Sequence, residues 1–183
     1  MHPDLQTALD DVIASIGELS DTQLAWHPPG KWSAAEVLEH LARSMAGTAY
    51  IMGRALDQDR PKAKPDTWQE RLKAFIVVGI GYFPSGREAP EPTRPRGLPP
   101  AEARNGIRQA LADLDEAAAR CASRFGERTK VANHPILGAF DVRQWRRFHR
   151  VHTRHHMKQI ERMTEEMGSK LETRNSNPRI GQS

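Results

Sequence analysis

His152 and His156 stand four residues apart in Trp145-Arg-Arg-Phe-His-Arg-Val-His-Thr-Arg-His-His-Met-Lys-Gln-Ile160. On a helix an i, i+4 pair points the same way, so the two imidazoles can close on one metal ion. His40 lies far upstream in Trp32-Ser-Ala-Ala-Glu-Val-Leu-Glu-His-Leu-Ala-Arg-Ser44, which reads as the start of another helix. Two helices can therefore supply three nitrogen ligands. Three neutral nitrogens leave an ion its full charge and at least one open coordination position, as in catalytic rather than structural zinc sites. Such an ion lowers the pKa of a bound water or thiol, the property that hydrolases and thiol transferases both use.

At 100° per residue, Trp145, Phe148, Gln159 and Met163 fall within about 40° of the line through His152, so the pair should face the core. Arg143, Arg147, Arg150 and Arg154 fall within about 40° of the opposite direction, and that basic stripe is most simply a solvated face. His149 and His155 sit about 60° to either side of His152, as boundary residues that could serve as substitute ligands or proton carriers. Charging two adjacent buried imidazoles would cost on the order of several kcal/mol, so the pair must stay neutral or bind something.

The supporting residues leave alternatives open. A hydrolase also needs a carboxylate base near a metal-bound water, and Glu36 and Glu39 beside His40 are the candidates on the upstream ligand helix, Glu36 being wanted for a helix cap. Gln159, one turn beyond His156, can orient a ligand or substrate, or be a buried amide paired with backbone. Arg87, Arg94 and Arg96 on a proline-rich stretch could meet the carboxylates of an acidic thiol, though a solvated charged loop is the simpler expectation. His134, before Pro135, reads as a turn residue, with lining of the site mouth as the lesser alternative. Cys121 is the one cysteine and lies on an apolar stripe, which makes it a small buried hydrophobe rather than a nucleophile.

The elements that must carry these residues read as helices. A chain of 183 residues, 38% hydrophobic and 27% charged, fits one domain, and sparse β-branched runs disfavour an all-β fold. The first helix should run from Pro3 to Leu19 on a stripe of Leu5, Leu9, Val12 and Ile16. The second should open at Ser33, with Glu36 completing a capping box and Trp32 stapling onto Val37, and continue to about Leu56. Thr67 and Glu70 form another box that could start a short helix through Ile76, which Gly79, Gly81 and Pro84 then end. Pro84 to Pro100 should be an extended surface loop, long enough to cover a site. The next helix spans about Ala101 to Phe125. In the last, Asp141 caps, Gln144 holds the box position and Phe140 staples onto Trp145. Residues 1–168 then form the domain, and residues 169–183, with no apolar pattern, a flexible tail. Four long amphipathic segments suit an all-α helical bundle, whose interior is a common place for a metal site.

The net charge of +4 is spread over several segments with no aromatic platform, which argues against nucleic acid as a partner. The N-terminus lacks a basic head and a hydrophobic segment, and the apolar stretch from Ala74 to Phe83 is too short and glycine-broken to span a bilayer. No membrane partner and a cytoplasmic location are therefore the expectation. A small-molecule substrate is expected, and pairing into a homodimer through bundle faces is left open.

With Trp32-Ser33 opening a helix that carries Glu36 and His40-Leu41, and His-x-x-x-His-x-x-Gln at His152, His156 and Gln159, the chain resembles the DinB-like superfamily, also called the bacillithiol-transferase-like fold. The stretch Asn133-His-Pro-Ile-Leu-Gly138, followed by Trp145 and Arg154-His-His156, looks like a DinB-like subfamily with no assigned activity. The resemblance covers about residues 1 to 168 and implies a four-helix bundle with up-down-down-up topology. It further implies a divalent metal, often zinc or nickel, held by His40, His152 and His156. Relatives of this kind include transferases of low-molecular-weight thiols, thiol-dependent maleylpyruvate isomerases and metal-dependent hydrolases. Metal-dependent thiol transfer, with the thiol as cosubstrate, is the leading expectation; a hydrolase using metal-bound water, or a non-catalytic bundle that binds a metal or small ligand, are the alternatives.

Overall fold

The computed structural model describes residues 1–82 and 88–176. Among them are the α-helices α1 (Pro3–Ile16), α2 (Asp21–Ala25), α3 (Ala34–Asp57), α4 (Trp68–Ala74), α5 (Pro100–Phe125) and α6 (Val142–Ser176). An antiparallel hairpin of β1 (Lys130–His134) and β2 (Gly138–Asp141) stands between α5 and α6. The protein is thus mostly helical, and the hairpin corrects the expectation of an all-α chain.

Local chemistry sets most helix starts. Ser33 accepts from the Glu36 amide at 3.2 Å while Glu36 accepts from the Ser33 amide at 2.8 Å, so the expected box opens α3. Thr67 and Glu70 do the same for α4. Asp141 and Gln144 do so for α6, with the Phe140 and Trp145 rings 5.1 Å apart across the start. Each such cap satisfies amides that a helix end leaves bare, a contribution of about 1 kcal/mol. The first helix ends at Ile16 rather than Leu19, because Ser20 and Gln23 form a further capping box that starts α2. Beyond α4 the backbone widens into a π-helical turn, Phe75–Ile80, which Gly81 closes in a left-handed conformation (φ 82°).

α3 packs most extensively on α5 and α1 on α6, while α6 also touches α3 and α5. Leu38, Leu41 and Met45 of α3, Ile107, Leu111 and Cys121 of α5, Leu5 and Val12 of α1, and Trp145, Phe148 and Met157 of α6 share the core. Each fully buried side chain of this size contributes about 1.5–3 kcal/mol. Cys121 is buried there as expected, its thiol directed at the Met52 carbonyl and pushed up in pKa by burial.

One expectation about α6 holds and one changes. Its basic stripe faces solvent, with Arg143, Arg147 and Arg154 exposed and Arg150 half-buried, while guanidinium tips reach neighbouring elements. Arg150 pairs with Asp4 at 2.9 Å, Arg154 approaches Asp11 at 3.8 Å, and Arg147 donates to the carbonyls of Val78 and Gly79 at the end of the π turn. The helix also continues past Gly168 to Ser176. A lone glycine weakens a helix without stopping it, and Lys170 pairs with Glu166 one turn back while its ammonium lies 5.3 Å from the Trp26 ring. The remainder of the expected tail, residues 177–183, and Arg87 lie outside the described residues. Among the described residues, no helix is long and apolar enough to cross a membrane.

Candidate metal centre

The capped start of α3 places His40 two turns into the helix, and the start of α6 places His152 and His156 three to four turns in. The three side chains meet. His152 Nε2 lies 3.3 Å from His40 Nε2 and 3.1 Å from His156 Nε2, and ligand atoms from all three rings fall within 4.8 Å of one another. Ring planes are inclined at 66° to 87°, so the rings meet edge to edge around a common point. His40 and His152 are buried, while His156 is partly exposed.

Hydrogen bonds fix which nitrogen faces inward. His40 Nδ1–H donates to the Thr93 carbonyl at 2.8 Å, and His156 Nδ1–H donates to Gln159 Oε1 at 3.0 Å. In the neutral rings both Nε2 atoms then carry lone pairs, and both look toward His152 Nε2. One N–H on His152 can point at only one of them, whereas a cation at the common point satisfies all three. Metal–nitrogen bonds of about 2.0–2.1 Å around a tetrahedral ion hold nitrogens about 3.3–3.4 Å apart, close to the two spacings at His152 Nε2. The residues therefore fit a divalent ion, with Thr93 and Gln159 as the partners that set ring orientation.

The electrostatics agree. Burial lowers the His40 pKa, partly offset by the Thr93 carbonyl, and pushes His156 down to about 3, with His40 adding to the effect and Gln159 opposing it. His152 lies well below the ordinary range, first through burial and then through the neighbouring imidazoles. All three are neutral at pH 7, the state a metal needs.

The other candidates separate cleanly. His149 is fully buried and pushed down to about 3 by burial and His134; its Nε2 meets the Thr48 hydroxyl at 2.9 Å and its ring stacks near Trp145. It is a packed core histidine. His155 is half-buried beside His156, ring centroids 5.1 Å apart, and is not among the three clustered rings. His134 is not in the turn itself but is the last residue of β1, paired with Gly138, and its Nδ1 accepts from the turn amides of Ile136 and Leu137 at 3.1 and 3.2 Å. Glu36 is occupied in its cap. Glu39 is buried and accepts from the amides of Arg96, Gly97 and Leu98 at 2.9, 3.0 and 3.0 Å. Neither carboxylate is available as the base considered above. Arg94 pairs within its own loop, with Glu88 and Glu91.

The aromatic neighbours were partly legible: Phe148, on the His152 face of the wheel, stacks on His152 at 5.3 Å, while Trp32, read as a staple onto Val37, has its ring 5.2 Å from that of His40. Thr93 acts through its backbone, which no residue type announces. Glu39 did leave a trace: it is a charged residue among Ala34, Ala35, Val37, Leu38 and Leu41, all buried, so its carboxylate had to find partners indoors. A separate cleft of about 300 Å³ between α4, the hairpin and the start of α6, lined by Asp66, Arg71, Phe75, Lys130 and Arg147, contains none of the three histidines.

A family model for the DinB superfamily matches residues 4–160, a span that takes in all three histidines and Gln159. No curated protein and no solved structure matches the chain.

Proposed function

The chain belongs to the DinB superfamily, and on that footing we propose that it is a metal-dependent enzyme that transfers a low-molecular-weight thiol to an electrophile. The carrying observation is the convergence of His40, His152 and His156, with two outer nitrogens tied off so that the inner ones are free to donate. A divalent ion, zinc or nickel by donor type, would supply Lewis acidity that favours a thiolate near neutral pH. The chain's own contributions are positional. Thr93 and Gln159 set the rings, while Trp32 and Phe148 wall the site with aromatic surface. The partly exposed His156 marks the side from which a small molecule can approach.

Thiol transfer is favoured over hydrolysis because the two carboxylates nearest in sequence to His40 are both engaged with backbone amides. We also take α1, α3, α5 and α6 as a four-helix bundle with up-down-down-up connections, supported by the packing of α3 on α5 and of α1 on α6. The test is consumption of a small thiol by metal-loaded protein in the presence of a model electrophile. The expected rate scales with metal occupancy. Cleavage of esters or amides without thiol consumption would replace the proposal with hydrolysis, and loaded protein inert across thiols, electrophiles, esters and amides would replace it with a binding role.

A further inference from the structure

The segment that supplies the Thr93 carbonyl is pinned to α3 on both sides of His40. On one side Arg43 donates twice to the Pro92 carbonyl, from Nε at 3.2 Å and Nη2 at 3.0 Å. On the other, the Glu39 carboxylate takes three consecutive amides, Arg96 on one oxygen and Gly97 and Leu98 on the second. Gly97 has a φ of 83°, the left-handed conformation that lets successive amides curl around one anion and that residues with a Cβ rarely adopt. Within the segment, Thr93 donates from both its amide and its hydroxyl to the Pro90 carbonyl, so the turn behind it is closed as well. A buried carboxylate thus grips a loop whose nearby carbonyl holds a candidate ligand.

We propose that Glu39 is a positioning residue of the metal centre, acting through the 93–98 segment to hold the Thr93 carbonyl against His40 Nδ1; this rests on the three-histidine reading above. Glu39 is only 2% exposed and directly precedes His40 in the chain, yet it is not one of the clustered ligands. Its charge is spent on amides. Without it, all three amides lose their acceptor, the segment loosens and the His40 ring loses the partner that fixes its inward Nε2. Outer partners of this kind typically carry about 10- to 100-fold in metal affinity.

The test compares full-length wild type, Glu39→Gln and Gly97→Ala. Gln is nearly isosteric but turns an acceptor into an amide donor facing amide donors, whereas Gly97→Ala leaves the carboxylate intact and strains the turn that wraps it. Two readouts apply: zinc affinity by chelator competition, and the His40 tautomer in metal-free protein by ¹⁵N nuclear magnetic resonance. The expected result is a wild-type His40 held as the Nδ1–H tautomer. Glu39→Gln should retain helical content with a mixed His40 tautomer and zinc binding about 10- to 100-fold weaker. If Glu39→Gln does not fold, Gly97→Ala decides the matter by the same two readouts. An unchanged tautomer and unchanged zinc affinity in the folded variant overturn the proposal. Wild type that binds no zinc sinks the metal reading instead, and the tautomer comparison then judges the positioning role alone.

Discussion

The inner nitrogens of His40, His152 and His156 explain themselves only as a group, and single substitutions should separate them from histidines that merely pack. His156→Ala removes one of three donors and should abolish stoichiometric binding of zinc or nickel, read by elemental analysis after dialysis. Gln159→Leu leaves the three donors but removes the acceptor at His156 Nδ1, and zinc affinity should fall about 10- to 100-fold. His134→Ala should keep full metal content while lowering stability by about 1–3 kcal/mol, because two part-buried amides lose their acceptor. Retained metal in His156→Ala, or lost metal in His134→Ala, would show that the roles are assigned to the wrong rings.

At the scale of elements, what was legible in the sequence was what is local. Ser33 with Glu36, Thr67 with Glu70 and Asp141 with Gln144 each close a box over three residues, so the starts of α3, α4 and α6 could be read directly, and with them the positions of His40, His152 and His156. The hairpin was not legible. Its strands are short, and their environment comes from afar: the Lys62 amide donates to the Val131 carbonyl, the Lys64 amide to Asn133, and Asp66 accepts from the Ala139 amide. The arginine stripe was legible as an exposed face, but its partners Asp4 and Asp11 were not, since they lie on α1. Gly138 gives a test of the hairpin. It has a φ of 79°, and a Cβ there would meet Asp66 Oδ1 at 2.6 Å and Glu70 Cβ at 2.9 Å. Gly138→Ala should therefore destabilise by about 1–3 kcal/mol, seen as a lower melting temperature with unchanged helical content. An unchanged melting temperature would mean that the turn relaxes freely.

For the molecule as a whole, the concentration of neutral buried imidazoles should make stability depend on pH. Burial pushes His134 down to about 4 and His149 and His156 down to about 3, and lowers His40 and His152 as well. Below the ordinary histidine value of about 6.5 the unfolded chain binds these protons and the folded one does not. The stability is therefore fully present above about pH 6.5 and is lost as pH falls toward the depressed values, each group contributing up to about 1.4 kcal/mol per pH unit. Metal-free protein should show its denaturation midpoint dropping steadily between pH 7 and pH 5; a flat profile would mean that the histidines titrate normally in the fold. At pH 7, a bound ion should raise the melting temperature by mass action, because the unfolded chain does not bring the three nitrogens together. All of this turns on whether a metal sits among the three rings. The direct measurement is elemental analysis of protein purified without a histidine tag, before and after loading with zinc or nickel. One tightly held divalent ion per chain is the predicted result, and protein that retains no metal after loading would contradict it.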